Sequence, residues 1–384
     1  MRRKLYFLLV LLLINTTVLS GCWNYREIEQ FAIVAGMAVD KGEQGNYLLT
    51  IEIVDMHEGG KEGKIQSERV ETYGDTLLDA IRNAIKISAK KLYWGHSEIV
   101  VLSQDVAKDG ILEIIDWLDR DAEPRLSTDL LVSKGMAARE VLEAQSMTMN
   151  IRSYEVNEML DSQRNLSKAP KVEVYEFINA LTGQGISPVL PAIRVTKNQG
   201  KNKSELSGIA IFKKTRFEGF LDEEETKYFL FATDKIKGGV IVLQEDPEDE
   251  YAKMTLEIIR SKTKITPQYS GGKISIALNI ETQVIMDEHG AEKNFVDENG
   301  NLLQKKKAEA QIAENIRQVI HKVQKEYDTD IFGFGNIVKA DMPSVWKQMG
   351  KDWDNIFKNL NVSIEVNIET KNSGLMWKPI EVGD

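Results

Sequence analysis

The chain carries a single cysteine, Cys22, among 384 residues. One thiol cannot form an internal disulfide, so any fold the chain adopts must be held by burial of apolar surface. The residues before the thiol say why it stands where it does. Arg2, Arg3 and Lys4 make a positive start, Leu5 to Ile14 an apolar block, and Ser20 and Gly21 a small-residue approach to Cys22. A membrane-spanning helix needs about 20 apolar residues. This block is shorter, and its order is that of an export signal over residues 1–21.

The exit sequence Leu19-Ser20-Gly21-Cys22 resembles a bacterial lipobox. An ordinary export signal ends in Ala-x-Ala instead. The lipobox implies cleavage before Cys22 and a diacylglyceryl thioether on its sulfur. Two acyl chains hold a protein at a bilayer where one does not. The expectation is a lipoprotein anchored through Cys22, not threaded through the membrane. No later stretch approaches 18 uninterrupted apolar residues, so the rest should lie on one side.

Without residues 1–21 the chain has 46 basic against 59 acidic residues, a net charge of −13. A body of that sign is repelled by phosphate backbones, which argues against nucleic acid as a partner. The length exceeds what one core usually serves, so several domains are expected.

The pattern along the chain is that of an α+β protein, with mixed and antiparallel sheets packed against helices. Residues 31–40 and 46–56 form two strand patterns joined by the turn "KGEQG", a hairpin. Asp75 precedes an amphipathic helix with Leu78, Ile81, Ile85 and Ser88 on one face, and residues 110–120 place Ile111, Leu112, Ile115 and Leu118 at helical spacing. Helical patterns cover 136–145, 151–164 and 171–182. "GQGISPVLPAIRV" carries two prolines and is expected at a sheet edge. The polar stretch "TKNQGKNKSE" (196–205) lacks a hydrophobic period and is the expected linker. The expected organisation is an N-terminal α+β domain over 22–195, a small middle α+β domain over 204–245 and a C-terminal α+β domain over 250–384. The last contains a long hairpin, a helix with Ile312, Ile316, Val319, Val323 and Tyr327 in one stripe, and a closing strand over 361–370.

Catalytic signatures are missing. His57, His96, His289 and His321 have no second ligand at zinc spacing. His96 fits a turn and His321 a solvated helix face. No nucleophile elbow, Walker loop or H-E-x-x-H occurs, and "GQG" at 183–185 lacks the rest of a dinucleotide fingerprint. "DENGN" fits a hairpin turn better than a calcium loop. The acid runs at 223–225 and 245–250 fit solvated faces. Trp346, Trp353 and Phe357, spaced by seven and four, are expected to share one buried helix face. No catalytic residue, metal or cofactor is implied.

Three segments carry a resemblance. "GCWNYREIEQFAIVAGMAVDK" holds Cys22, Trp23, Arg26-Glu27-Ile28, Gly36 and Asp40. "EPRLSTDLLVSKGMAAREVLE" follows at 123–143, and "DTDIFGFGNIVKADMPSVWKQMGKDWDNIFKNLNVSIEVNIE" at 328–369. Together they resemble the spore-germination lipoproteins of the Ger(x)C type, the C subunits of nutrient germinant receptors. The resemblance implies a three-domain α+β arrangement on the outer face of the spore inner membrane. It also implies integral-membrane A and B subunits as partners. It assigns no catalytic residue; only Cys22 transfers, as the lipid attachment site. Two other classes compete. A ligand-binding lipoprotein delivering a small solute to a transporter would show two similar halves, and none is visible. A tethered wall hydrolase would need convergent acids, and these are dispersed.

Overall fold

The fold follows from where the apolar runs lie. In a computed structural model, the described residues are 2–19, 27, 30–43, 46–55, 66–244, 253–289 and 298–371. Cys22 lies outside them, as do His57 and the run 245–250. Helix α1 (Arg2–Leu19) covers the apolar start. No helix among the described residues is long and apolar enough to cross a membrane.

Strands β1 (Phe31–Lys41), β2 (Tyr47–Asp55) and β3 (Gln66–Gly74) form an antiparallel meander. Helices α2 (Leu77–Asn83) and α3 (Ile85–Ser88) lead to β4 (Lys91–Tyr93) and β5 (Ile99–Leu102). Helices α4 (Gln104–Asp109) and α5 (Leu112–Arg120) lead to β6 (Asp129–Ser133). Then come α6 (Arg139–Glu143), α7 (Arg152–Asp161), α8 (Val174–Thr182), β7 (Val189–Asn198), β8 (Lys201–Lys213) and β9 (Arg216–Leu221). They build one large sheet in the order β3-β2-β1-β5-β6-β7-β8-β9, with β4 also on β1. The run β1-β5-β6-β7 is parallel. Every residue of β5 and β6 is buried, as strands covered on both faces require. One face packs on α2, α4, α5 and α8, the other on α6 and α7.

A second sheet follows helix α9 (Glu223–Ala232). It orders β10 (Val240–Gln244), β11 (Lys253–Ser270), β12 (Lys273–His289) and, after four helices, β13 (Asn361–Lys371). Those helices are α10 (Glu298–Lys322), α11 (Phe334–Asp341), α12 (Pro343–Met349) and α13 (Trp353–Lys358). Strand β13 runs parallel to β12, and the other pairs are antiparallel. From Thr226 to Ala232 every residue of α9 is buried, and its apolar residues share one core with Ile209, Ile211, α10 and the second sheet. A helix segment buried on all sides belongs in an interior, and the second half of α9, after its acidic first turn, joins the two sheets there.

Several expectations change. The stretch 196–205 is no linker but the tip of the β7–β8 hairpin, turning at Gln199 and Gly200, both with positive φ. Its polarity marks an exposed tip. Strand β7 lies between β6 and β8 rather than at an edge. Pro191 sits beside a register shift, and β6 meets β7 only from Ala192 onward, so its missing N–H interrupts no β6–β7 pairing. Residues 298–301 open helix α10 instead of turning a hairpin. Leu78 and Leu112 are exposed, because Leu77 and Ala80, and Ile114 beside Ile115, take the inward positions.

Candidate functional site

The family-like segment 328–369 sits where the two sheets meet. Asp330 opens Asp-Ile-Phe-Gly-Phe-Gly and is buried, with no ion pair among the described residues. Its Oδ1 accepts the backbone N–H groups of Phe332 (3.1 Å) and Gly333 (2.9 Å). Its Oδ2 accepts the N–H of Gly335 (2.8 Å) and the indole Nε1–H of Trp353 (3.0 Å). Burial pushes the carboxyl up to about 6, against the pull of these donors. The intervening residues have their own reasons. Phe332 stacks on Phe334 at 5.1 Å and tilts against Phe229 of α9 at 5.7 Å. Gly333 takes φ +71°, a conformation costly for other L residues. A Cβ on Gly335 would stand 2.5 Å from the Trp353 ring.

The knot grips the segment before β7. The Ser187 N–H donates to the Asp330 carbonyl at 2.7 Å, and the Asn336 N–H donates to Gly185 at 2.9 Å. Ser187 and Thr329 hydroxyls meet at 2.6 Å. Sequence reasoning set "GQG" aside as a failed fingerprint; it is the seat of this motif. The pointer was Gly185, whose φ is +69° and whose Cα lies against Gly335.

Trp353 and Phe357 are buried, as expected, but Trp346 is only half-buried. The three do not share one straight helix. A 3-10 turn over Gly350–Asp352 separates α12 from α13, and Gly350 leaves room for the Trp346 ring. The Trp346 ring lies 5.5 Å from that of Trp353 and beside Gln184. Trp346, Lys347, Lys351, Asp354 and Lys358 line an open groove of ≈ 740 Å³. The Asp330 oxygens are filled by these four donors from within the fold.

The other family-like residues are joints as well. Asp40 accepts the N–H groups of Ala138 (2.7 Å) and Arg139 (2.9 Å) at the start of α6. Burial holds its carboxyl above the usual range while those two N–H groups lower it. A Cβ on Gly36 would strike the Ser153 hydroxyl at 2.3 Å. Next to Gly36 runs a buried ionic network the sequence reading did not find. Glu52 accepts Ser67 Oγ–H (2.6 Å), Arg152 N–H (3.0 Å), Ser153 N–H (2.7 Å) and Ser153 Oγ–H (2.6 Å). The Arg152 guanidinium is buried against Glu155, and Glu155 also accepts from Met147 and Thr148. A glutamate inside the apolar run "LLTIEIVD" was the available signal.

His96 is exposed in a turn with its ring 5.8 Å from Tyr93, and His321 is exposed on α10. Among the described residues no group of three His, Cys, Asp or Glu could hold a metal ion.

Residues 24–195 match the family model "Spore germination protein N-terminal domain", and residues 207–374 match "Spore germination B3/GerAC like, C-terminal". Spore germination protein KC of Bacillus subtilis (strain 168) is 24% identical, covering 97% of each chain. Spore germination protein B3 of the same organism is 24% identical over 94% of this chain and 96% of that protein. Spore germination protein A3, also from that organism, is 26% identical over 94% and 96%. The crystal structure of the GerBC protein superposes with a TM-score of 0.56 at 20% identity. It covers 87% of this chain and 96% of that one, and shares the multi-domain α+β fold. The two family regions in order along the chain, and the fold they share with GerBC, make this chain a member of the Ger(x)C family of spore germination proteins.

Proposed function

We propose that this chain is the lipid-anchored C subunit of a nutrient germinant receptor. It is a non-catalytic interaction subunit needed for spore germination, held at the outer face of the spore inner membrane by Cys22 and assembled with integral-membrane A and B subunits. The observation that carries the reading is a family match running almost from the lipobox-like Leu19-Ser20-Gly21-Cys22 to residue 374. The motifs that carry the likeness are spent on internal joints: Asp330 on backbone and indole donors, Asp40 on the start of α6. That use of acids supports a scaffold rather than a catalyst. A thioether with two acyl chains would raise the local concentration of the folded body beside membrane partners.

The test is a spore carrying Cys22→Ser. The expected result is loss of the protein from the inner-membrane fraction, loss of co-purification with a multispanning subunit and a nutrient response weakened as in a deletion strain. Full membrane retention in that strain would refute the anchor. Normal germination of the deletion strain to every nutrient would refute the role.

A further inference from the structure

Phe31 opens β1 nine residues after Cys22. Nine residues fully extended reach at most about 30 Å, so an anchor at Cys22 keeps the start of β1 within that distance of the bilayer. Lys91 and Tyr93 of β4 pair with Phe31 and Ile33 at this same end of the sheet. Helix α3 ends just before β4, and here Ile87 is 62% exposed. Neighbouring Lys86 is exposed and Lys90 half-buried, and neither makes an ion pair among the described residues.

Aromatic groups continue this surface. The Phe31 ring lies 5.6 Å from Tyr93, and Tyr93 lies 5.8 Å from the exposed His96. Lys91 pairs with Glu123 of the neighbouring loop. In that loop Leu126 is 41% exposed, and its carbonyl accepts the N–H of Tyr175, itself 45% exposed. Aliphatic and aromatic side chains interspersed with lysines are the composition of surfaces that rest in a lipid headgroup layer. It stands out on a chain whose net charge would otherwise keep it away from an anionic leaflet.

We infer that this end of the large sheet is the bilayer-contacting surface, with Ile87, Tyr93, Leu126 and Tyr175 at the headgroup level and Lys86 and Lys90 against lipid phosphates. The inference rests on the anchor at Cys22 proposed above.

The test uses the full-length lipidated protein in vesicles of phosphatidylcholine and phosphatidylglycerol. The Cys22 sulfur is blocked as a thioether, so an introduced cysteine alone takes a fluorophore. Ile87→Cys and Tyr175→Cys report on the proposed surface, and Val242→Cys on the second sheet is the control. All three positions are exposed, so the substitutions spare the core. Nitroxide-labelled lipid should quench the first two about threefold more strongly than the control. Equal quenching in protein that floats with the vesicles overturns the inference and leaves the anchor standing. Protein that fails to float overturns the anchor and the inference with it.

Discussion

Trp353 donates its indole N–H to Asp330 across 3.0 Å, and both residues are buried. Asp330→Ala would leave that donor and three backbone N–H groups without an acceptor. Each such loss costs about 1–3 kcal/mol, so the expected destabilisation is at least about 3 kcal/mol. Trp353→Phe keeps most of the buried ring and deprives the carboxylate of one donor, and should cost closer to about 1 kcal/mol from the bond itself. Urea unfolding midpoints compare the two; a milder effect for Asp330→Ala would contradict this account of the knot.

The Arg152–Glu155 pair is buried. Removing one member of a buried pair strands the other charge and costs about 3–5 kcal/mol. Arg152→Met and Glu155→Leu are therefore each expected to be strongly destabilising. The double variant should lose clearly less than the two single losses added together. Additive losses in a double-mutant cycle would show that the charges do not depend on each other.

Asp129 is fully buried at the start of β6. Its Oδ2 accepts from Asn157 at 2.8 Å and lies 3.4 Å from Lys171, while its Oδ1 has no hydrogen-bond partner among the described residues. Burial pushes the carboxyl up to about 7. A raised carboxyl pKa means that the folded state binds a proton the unfolded chain has released. This group therefore favours folding most at low pH, and the advantage is lost as pH rises from about 4 to about 7. Asp129→Asn should flatten that part of the stability profile. The effect between pH 5 and pH 7.5 is roughly 2.5 kcal/mol, read from denaturation at those two values. An unchanged slope would assign the dependence to other groups.

Two glycines separate crowding from backbone conformation. A Cβ on Gly335 meets the Trp353 ring and the Gly185 backbone within 2.6 Å, whereas one on Gly271 at the β11–β12 turn meets nothing among the described residues within 4 Å. Gly271 has φ +57°, so Gly271→Ala should cost only about 1 kcal/mol. Gly335→Ala forces the indole or the backbone to move and should cost on the order of 3 kcal/mol. Thermal melting of both variants decides the matter, and equal shifts would remove the close approach as the reason for Gly335.

Local periodicity was legible wherever one face alone decides. The β11–β12 hairpin, the buried Ile312-Ile316-Val319 stripe of α10, continued by Val323 in the π-helical turn after it, and the alternation of β13 all stand as the pattern implies, while Tyr327 at the end of that stripe is only half-buried. What depended on distant neighbours was not legible. Pro191 argued for an edge, yet β7 is interior because its bulge and the late start of β6 pairing absorb the missing N–H. The polarity at 196–205 marked a hairpin tip as readily as a linker. The seat of Asp-Ile-Phe-Gly-Phe-Gly at Gly185 joins residues about 150 apart, a contact no local pattern announces. At the candidate site, Trp353 and Phe357 followed helical spacing into the core. Trp346 did not, because the break at Gly350 turned it toward the groove.

The second sheet is completed by its last strand. β13 lines up beside β12 from Asn361 to Lys371, after four helices have intervened. During synthesis, then, one flank of β12 stays bare until residues 361–371 have emerged. A nascent chain stalled before residue 361 would present an open, pairing-competent ribbon to other chains.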